Sequence, residues 1–524
     1  MNFADYARIN GSKYADKLCL IERTPNTNAR RALTWKAFNT QANRLANYLT
    51  KNLGIKKGDY ILHLQNNSLE WGITYFGIIK TGAVVVPLNF RFIGSDIRYA
   101  AAICRPVTFI LEEAFLDRVN PIREYLSTVK QYIVVGEACP PDMVPYSEIE
   151  DLDDTDEATI DVQEDDYLAL MFTSGTTGQA KPVIHTHGSM TATAIGNGMS
   201  TPVEINDKYI IIHPLYHSGS LFLWTPYYAV GATGILILDC RDPKWIIEAI
   251  AEEGGTGLLA VVPICVDLID LIKSGTIDLK NYDLSSWKYI MTGAQPVPQE
   301  VLRSLIELLP CQTIHTYGVT EAGGGVVWIL NHDDILRKPG SIGKPNFGVE
   351  GKVVDEKGNW VPPGDVGELI IKTPRLMKGY YENQELTARS IKDGFFYTGD
   401  LAKVDEEGYY YIVDRKKDMI TCGGENIYPV EIEDVLHEHP AVDDVAVIGY
   451  PDKRFVEIVM AVVELKKGTT LSEVEVIEFC KSKLAWYKAP RKVVFDHVPR
   501  NPTGKLMKPA LREKYTGKKE AFNL

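Results

Sequence analysis

Short apolar segments alternate with amphipathic segments along much of the chain. Between residues 35 and 100 the pattern predicts a helix, a strand, a helix and a strand, at Ala42–Leu53, Asp59–Leu64, Ser68–Thr81 and Ala83–Leu88. The alternation returns between residues 205 and 315, with strands predicted at Lys208–His213, Thr233–Leu238, Gly257–Val262 and Trp287–Thr292. Strands that alternate with helices are typical of a parallel sheet with crossover helices, which makes the predicted fold class α/β.

The pattern changes after about residue 340. Short strands at Gly351–Val354, Gly367–Lys372 and Tyr409–Val413 are separated by Gly and Pro, and they predict a smaller β-rich unit. Farther along, helices at 431–439 and 472–484 flank strands at Val445–Gly449 and Val459–Leu465. This arrangement predicts a small α+β unit in the C-terminal part of the chain.

Composition limits the classes of function. The chain has 524 residues, of which 45% are apolar and 24% are charged; this excludes fibrous and disordered proteins and predicts roughly three or four structural units. The net charge of −13 disfavours binding to nucleic acid or to anionic membranes. The eight cysteines are scattered without a C-x-x-C pair, so neither a disulfide framework nor a zinc site is predicted.

The two ends of the sequence bear on location and ligands. Residues 1–17 contain no apolar core of the signal-peptide type, and no apolar run is long enough to span a membrane, so a cytoplasmic protein is predicted. Residues 481–519 contain twelve Lys and Arg residues and only two acidic residues, Asp496 and Glu513. This basic tail is either a solvated surface or a local site for a polyanionic ligand.

The strongest chemical motif is Thr173-Ser-Gly-Thr-Thr-Gly178, followed by Lys181. It lies at the end of a strand predicted at Tyr167–Phe172, and its two glycines allow a sharp turn and a close approach to a ligand. Successive backbone N–H groups and the Ser and Thr hydroxyls can bind an anion, and Lys181 adds a positive charge. A chain of phosphates is the natural ligand. The motif is not a Walker A loop, because Lys181 is followed by Pro182.

Four weaker motifs follow along the chain. Tyr317-Gly-Val-Thr-Glu321 offers a ring for a nucleotide base, a hydroxyl for a phosphate and a carboxylate for Mg²⁺. Tyr397-Thr-Gly-Asp400 places a carboxylate in a glycine turn, where it can accept hydrogen bonds from both ribose hydroxyls. The other two are Asp414–Asp418 with Gly423–Pro429, and Pro499–Lys505, a Pro- and Gly-rich loop that presents one lysine.

Taken together and in this order, the five motifs resemble those of the adenylate-forming superfamily, which contains acyl-CoA synthetases, adenylation domains of peptide synthetases and beetle luciferases. The resemblance covers roughly residues 10 to 510. One departure is Ala180-Lys181-Pro182, where the family commonly has Pro-Lys-Gly. The lysine is kept, but the backbone around it differs.

The resemblance implies a large N-terminal domain, residues 1–413, built of two parallel-sheet α/β layers and a small β-barrel, and a small mobile α+β domain, residues 414–524. It also implies two reactions. ATP and a carboxylate give an acyl-adenylate and pyrophosphate, and a thiol then displaces AMP. Between the reactions the small domain would rotate about a hinge at Asp414, and the charged run 414–418 is expected to be an exposed hinge.

The resemblance further implies roles for individual residues. Lys505, Thr320, Glu321 and His217 would act in catalysis, with Lys505 bridging the carboxylate and the α-phosphate and Glu321 binding Mg²⁺. The residues expected to bind ATP or CoA are Thr173, Ser174, Gly175, Thr176, Thr177, Gly178, Lys181, Gly293, Ala294, Gln295, Thr316, Tyr317, Gly318, Asp400, Ile412, Arg415, Gly423, Gly424, Tyr487, Lys488 and Arg491.

The acyl site is expected around His217, Trp224, Gly293 and the segment Gly318–Gly325. Gly323–Gly325 removes side chains from one wall and leaves room for a bulky or long acid, although Gln295 and Trp328 could narrow it. These segments contain no Lys or Arg to pair with a second carboxylate. A monocarboxylate is therefore predicted, and fatty, alicyclic and aromatic acids all remain open.

CoA is the expected acceptor, because no carrier-protein domain follows residue 524. The expected partners are thus the acid, ATP with Mg²⁺, and CoA, without nucleic acid; a homodimer is compatible with the sequence. Three alternatives stay open: an enzyme that loads an amino or aryl acid onto a carrier protein, a luciferase-like oxygenase, and an inactive binding homologue. His213–Leu221 lacks the Asp that would indicate an amino-acid substrate, and the intact Lys505, Glu321, Asp400 and Thr320 disfavour an inactive homologue.

Overall fold

The computed structural model describes residues 2–158, 160–173, 181–238, 240, 242–329, 331–422, 425–452, 455–500 and 506–517. Within these ranges the strands are β1 Leu18–Thr24, β2 Ala29–Thr34, β3 Tyr60–Leu64, β4 Val84–Pro87, β5 Thr108–Glu112, β6 Gln131–Val135, β7 Val144–Pro145, β8 Tyr167–Thr173, β9 Lys181–Thr186, β10 Lys208–Ile211, β11 Thr233–Ile237, β12 Gly257–Leu259, β13 Tyr289–Gly293, β14 Gln312–Val319, β15 Gly324–Ile329, β16 Lys344–Pro345, β17 Glu350–Val354, β18 Gly367–Lys372, β19 Gly379–Tyr380, β20 Ile391–Lys392, β21 Phe395–Val404, β22 Tyr410–Arg415, β23 Ile420–Cys422, β24 Glu425–Ile427, β25 Val442–Asp452, β26 Val456–Leu465 and β27 Lys492–Phe495. The α-helices are α1 Asp5–Lys13, α2 Trp35–Asn47, α3 Leu69–Lys80, α4 Gly94–Cys104, α5 Leu116–Val119, α6 Tyr146–Glu150, α7 His187–Ser200, α8 Ser218–Val230, α9 Lys244–Glu253, α10 Val262–Lys273, α11 Gln299–Leu308, α12 His332–Arg337, α13 Gln384–Ser390, α14 Pro429–His437, α15 Glu473–Lys483 and α16 Lys508–Thr516.

The first sheet has nine strands in the order β16-β15-β14-β13-β12-β10-β11-β1-β2. The strands from β14 to β1 are parallel, and antiparallel strands lie at both edges. The four strands predicted between residues 205 and 315 are confirmed as β10, β11, β12 and β13. Their near-continuous apolar sequence reflects burial on both faces of the sheet.

The second sheet has eight strands in the order β19-β9-β8-β4-β3-β5-β6-β7, and it is parallel except at β9 and β19. Helix α3 was predicted at Ser68–Thr81 and begins just after Ser68, whose Oγ accepts a hydrogen bond from the Trp71 N–H at 2.9 Å. Every residue of α3 except Glu70 is buried. The helix contacts strands of both sheets, β1 and β4, and thus joins the two layers.

The helix predicted at Ala42–Leu53 lies farther toward the N-terminus than its apolar pattern suggests. It begins at Trp35 because the Thr34 hydroxyl caps it, accepting a hydrogen bond from the Ala37 N–H at 3.2 Å. The α-helical part ends at Asn47, and a π-helical turn follows over Tyr48–Asn52.

The third unit is a five-stranded antiparallel sheet of β17, β18, β20, β21 and β22, where the sequence predicted a small β-barrel. Among its residues no pairing joins β17 to β22, so the sheet is open. The free edge of β22 bonds instead to the segment before β16: the Ile342 N–H donates to the Tyr410 carbonyl, and the Tyr410 N–H donates to the Gly343 carbonyl. This contact attaches the third unit to the nine-stranded sheet.

The C-terminal unit contains the fourth sheet, in the order β24-β23-β26-β25 with β27 parallel to β26, and helices α14, α15 and α16. The helices and strands predicted here are found with slightly different ends. The domain boundary predicted between residues 413 and 414 falls inside β22 and stays a prediction. None of the helices in the described ranges combines the length and apolarity needed to cross a lipid bilayer.

The expectation of an exposed hinge at 414–418 is wrong for its acidic residues. Asp414 and Asp418 are 2% and 8% exposed. The Asp414 carboxylate accepts hydrogen bonds from the N–H groups of Arg415 at 2.6 Å and Val430 at 3.1 Å. Burial raises the pKa of Asp414 to about 6, and the charge of Lys508 opposes that rise. Helix α16 supplies the cations that make burial of this run tolerable.

Lys508 is the central cation of this buried group. It is 5% exposed, and its Nζ lies 2.8 Å from Glu433 Oε1, which also accepts the Val447 N–H at 2.7 Å. On the same helix, Arg512 contacts Asp418 at 2.5 Å. The last helix is thus tied by ion pairs to the residues that follow β22.

Removing the positive charge of Lys508 should lower the stability of the C-terminal unit. We expect Lys508→Met to lower the free energy of unfolding of the C-terminal unit by about 3–5 kcal/mol, because Glu433 then stays buried without its partner. Urea unfolding of the whole chain measures this. Lys514→Met, on the exposed side of the same helix, is the control and should leave the midpoint unchanged. Equal midpoints for both variants would contradict the role given to Lys508.

Candidate active site

Several of the predicted residues that the structure describes lie where strands of the two large sheets end. β8 ends at Thr173, β13 at Gly293 and β14 at Val319, and Thr320 and Glu321 follow β14 directly. The carboxyl ends of strands are the usual ligand-binding edge of an open α/β sheet. Lys181 begins β9, which is antiparallel to β8, and Thr320 and Glu321 follow β14, so these candidate residues lie at this edge of their sheets.

Glu321 and Lys181 are brought together by Tyr380, which the sequence analysis missed. The Tyr380 hydroxyl donates to Glu321 Oε1 at 2.9 Å, and Lys181 Nζ lies 5.6 Å from the centre of the Tyr380 ring. Burial, then the Glu321 charge, raises the Tyr380 pKa. Tyr380 is held by pairing with Val183 of β9, the strand that begins at Lys181. One tyrosine thus positions the carboxylate and flanks the lysine.

Asp400 forms the second part of the site, together with Tyr317 and Arg415. Asp400 is 2% exposed; Oδ2 accepts a hydrogen bond from the Tyr317 hydroxyl at 2.5 Å, and Oδ1 lies 2.7 Å from Arg415 Nε. Burial, then the neighbouring carboxylate, raises the pKa of Tyr317. Burial alone would lower the Arg415 pKa, but the Asp400 charge raises it above its ordinary value. The Arg415 guanidinium is therefore charged near neutral pH.

Close backbone packing fixes the segment Gly293–Gln295 against β14. A Cβ on Gly293 would lie 2.0 Å from the Thr316 carbonyl oxygen, so only glycine fits. Ala294 has φ 66°, in the left-handed region that costs a non-glycine residue energy. Gln295 Oε1 and Thr316 Oγ1 are buried and have no hydrogen-bond partner among the described residues. Unsatisfied polar atoms at a strand end are expected where a ligand completes the hydrogen bonds.

His217 lies at the start of α8, next to Thr320. The Ser218 hydroxyl is 2.7 Å from Thr320 Oγ1, and His217 Nδ1 accepts the Gly219 N–H at 3.1 Å. His185 is also part of the arrangement. Its Nε2 lies 2.9 Å from the Thr320 carbonyl oxygen, and burial lowers its pKa to about 4, so it is neutral and donates that hydrogen bond.

Arg375 is a second residue that sequence reasoning missed. It is 1% exposed, and no carboxylate among the described residues pairs with it. Its guanidinium donates to Asn197 Oδ1 at 2.9 Å, to the Gly325 carbonyl at 3.1 Å and to the Phe347 carbonyl. Burial lowers its pKa to about 10. Arg375 stands behind the glycine-rich wall and ties it to α7.

Three of the residues expected to bind CoA, Tyr487, Lys488 and Arg491, contact other residues of the chain. Lys488 Nζ lies 2.7 Å from Glu431, and the Arg491 guanidinium lies 4.1 Å from the centre of the Phe455 ring. Tyr487 is half-buried beside the core of the C-terminal unit. Most other cations of the basic tail also have carboxylate partners, so much of its positive charge is already balanced.

The remaining predicted residues divide into those described and those outside the described ranges. Thr173 donates its hydroxyl hydrogen to the Lys181 carbonyl at 3.3 Å, and Ile412 packs half-buried in the core of the third unit. Gly318 lies against the Gly324 backbone. The predictions that fall outside the described residues are Ser174, Gly175, Thr176, Thr177, Gly178, Gly423, Gly424 and Lys505.

The chain is similar in sequence and in fold to known proteins. Residues 8–381 match the AMP-binding enzyme family, and residues 431–505 match the AMP-binding enzyme C-terminal domain. The long-chain-fatty-acid–CoA ligase FadD13 of Mycobacterium tuberculosis is 33% identical over 507 residues, 94% of each chain. The feruloyl-CoA synthase of an Amycolatopsis species is 33% identical over 486 residues, 92% of this chain and 94% of its own.

A solved structure agrees with the fold over nearly the whole chain. The anthranilate CoA ligase AuaEII, in complex with anthranoyl-AMP, gives a TM-score of 0.87 at 28% identity, with 98% of this chain and 97% of its own covered. The family match spans well over half of the sequence. The chain therefore belongs to the AMP-binding enzyme family, the adenylate-forming enzymes that include the AMP-forming acyl-CoA synthetases.

Proposed function

We propose that the chain is an ATP-dependent carboxylic acid–CoA ligase that forms an acyl-adenylate and transfers the acyl group to CoA. The observation that carries the proposal is the arrangement around the end of β14. Tyr380 contacts both Glu321 and Lys181, Thr320 precedes Glu321, and Asp400 accepts a hydrogen bond from the Tyr317 hydroxyl. A cation, a hydroxyl and two carboxylates there suit the phosphates, the metal ion and the ribose of a nucleotide. The sequence segments expected to line the acyl side, His213–Leu221 and Gly318–Gly325, contain no Lys or Arg, which supports a monocarboxylate.

The first reaction must bring an anionic acid against an anionic triphosphate. Positioning and charge neutralisation therefore supply most of the catalysis. Lys181 would neutralise the β- and γ-phosphates, and Thr320, held by Ser218, would contact the α-phosphate. Lys505 would bridge the acid and the α-phosphate, a task suited to a compact charge on a flexible stem.

The residues present fit Mg²⁺. No group of three or more His, Cys, Asp or Glu side chains among the described residues could enclose a metal ion. One oriented carboxylate, Glu321, suits a Mg²⁺ ion that keeps water and phosphate oxygens as its other ligands. Bound Mg²⁺ would lower the charge of the triphosphate. Tyr380 keeps one carboxylate oxygen engaged and so fixes the direction of the other.

The second reaction needs a thiol where Lys505 acts in the first. Rotation of the C-terminal unit about Asp414 would remove the lysine and bring in residues 423–426. The hydrogen bond from the Val430 N–H to Asp414 would have to break, and the Asp414 carboxylate would need new hydrogen-bond donors. The proposed hinge is therefore a buried charge that changes partners.

The direct test of this function is AMP release with ATP, Mg²⁺ and CoA across acetate, hexanoate, palmitate, cyclohexanecarboxylate, benzoate and several amino acids. We expect CoA-dependent AMP release with one group of monocarboxylates. Pyrophosphate exchange that never consumes CoA would instead support loading of a carrier protein. An absence of turnover with every acid would contradict the proposal and favour an inactive binding homologue.

Replacing Lys505 should separate the two reactions. We expect Lys505→Ala to slow adenylation by orders of magnitude, because the charge between the acid and the α-phosphate is lost, and to leave CoA attack on supplied acyl-adenylate intact. Single-turnover assays of each reaction measure this. Lys514→Ala is the matched control on the surface. Equal loss of both reactions in Lys505→Ala would refute the division of labour.

Removing the Tyr380 hydroxyl should weaken the response to Mg²⁺. We expect Tyr380→Phe to raise the half-saturating Mg²⁺ concentration for adenylation about tenfold, since a hydrogen bond to a charged group contributes about 1.5 kcal/mol or more. Thioester formation from supplied acyl-adenylate should not change. Tyr381→Phe, whose ring packs on Tyr60 away from Glu321, serves as the control. An unchanged Mg²⁺ dependence in Tyr380→Phe would contradict the positioning role.

A further inference from the structure

We propose that Trp328 limits the size of the acyl site, so that the acid is compact, of the size of a single ring or a short chain, and long-chain fatty acids are excluded. The inference rests on the proposed function and names its substrate class. Gly323–Gly325 lie near the proposed acyl site, and their sequence suggested room for a bulky or long acid.

The space beside these glycines is filled. A Cβ on Gly323 would lie 2.6 Å from Thr193 Oγ1, and one on Gly324 would lie 3.1 Å from the Phe222 ring. A Cβ on Gly325 would lie 2.4 Å from Trp328 Nε1. The glycines are needed because other groups already occupy the positions of their side chains. They do not form an empty wall.

Trp328 is the largest of these groups. It lies directly opposite Thr316 in the antiparallel pair of β14 and β15, and directly opposite residues share a face of the sheet. Its ring is 5% exposed and belongs to the same buried cluster as Leu215 and Phe222, which come from the segment before α8 and from α8 itself. The indole therefore fills the region where a long acyl chain would pass this wall.

A register irregularity explains how Trp328 reaches Gly325. Tyr317 pairs with Val327, but the next residue, Gly318, pairs with Gly325, so Val326 is an extra residue in β15. Such a bulge changes the face toward which the following side chains point. Gly325 and Trp328 thereby meet, and the indole covers the glycine backbone.

The wall cannot easily move aside to admit a longer acid. The Gly325 carbonyl accepts hydrogen bonds from Arg375 at 3.1 Å and from Asn346 Nδ2 at 3.1 Å. The Asn197 side chain accepts from Arg375 and donates to the Phe222 carbonyl at 3.2 Å. Buried hydrogen bonds of this kind are costly to break because each freed group would be left unsatisfied. The glycine wall and Phe222 are thus fixed from behind.

Packing alone holds the indole in place. Trp328 Nε1 is buried and has no hydrogen-bond partner among the described residues. A smaller apolar residue can therefore replace Trp328 without stranding a partner. This makes Trp328→Leu and Trp328→Ala suitable probes, and Trp328→Phe a conservative third variant if the smaller residues impair folding.

The test is the kcat/KM for AMP release with benzoate, hexanoate, decanoate and palmitate, in the wild type and each variant. We expect the wild type to use benzoate or hexanoate and to lose at least about tenfold in kcat/KM at decanoate and beyond, since one methylene in an apolar pocket changes discrimination by about tenfold or more. Trp328→Ala should raise the decanoate-to-hexanoate ratio at least tenfold, with the KM for ATP unchanged, and Trp328→Phe should give an intermediate ratio.

Trp287→Leu is the matched control. Trp287 is 3% exposed and lies just before β13, but it packs in a different buried cluster, with Ile290 and Leu305. A general loss of stability would affect both tryptophan variants, whereas only those at Trp328 should change chain-length preference. A wild-type preference for palmitate, or an unchanged ratio in folded Trp328 variants, would overturn the inference and leave the ligase function standing. Lack of turnover with all acids would instead overturn the proposed function.

Discussion

The buried carboxylate of Asp400 joins the parts of the molecule on which the site depends. It accepts the Tyr317 hydroxyl from the nine-stranded sheet and pairs with Arg415 at the end of β22 in the third unit. Asp414, the residue before Arg415, accepts a hydrogen bond from the Val430 N–H at the start of the C-terminal unit. Each hydrogen bond to a charged group contributes about 1.5–3 kcal/mol. One carboxylate therefore sets the position of a proposed base-binding ring and of the strand that leads into the hinge.

The rest of the site follows from strand direction. Parallel strands bring their carboxyl ends to one edge of a sheet, so residues distant in sequence, such as Gly293 and Thr316, become neighbours. Tyr380 and His185 then fix the backbone and carboxylate at Thr320 and Glu321. The charges of the site are thus oriented before any ligand binds, which is the condition under which electrostatic stabilisation of a transition state is strongest.

Sequence alone predicted the fold class and twelve of the 27 strands in the described part of the chain, because burial on both faces leaves continuous apolar runs such as β10 and β13. It did not predict residues whose role is to contact distant segments: Tyr380 and Arg375 stand in no motif, and their partners lie on other strands and helices. It interpreted Gly323–Gly325 as leaving room for a bulky or long acid that Trp328 could narrow, because a missing side chain does not reveal what lies in its place. Asp414 and Asp418 of the proposed hinge were expected to be exposed for a similar reason. The cations that accompany them in the buried cluster, Lys508 and Arg512, lie about a hundred residues away in sequence.

The central claim is that the acid attacks the α-phosphate of ATP and forms an acyl-adenylate. The most direct measurement uses an accepted acid whose carboxylate carries ¹⁸O and determines the mass of the AMP released in the presence of CoA. The account predicts one ¹⁸O atom in the phosphate of AMP, because that oxygen bridges carbon and phosphorus in the adenylate. Unlabelled AMP, or label in inorganic phosphate, would contradict it.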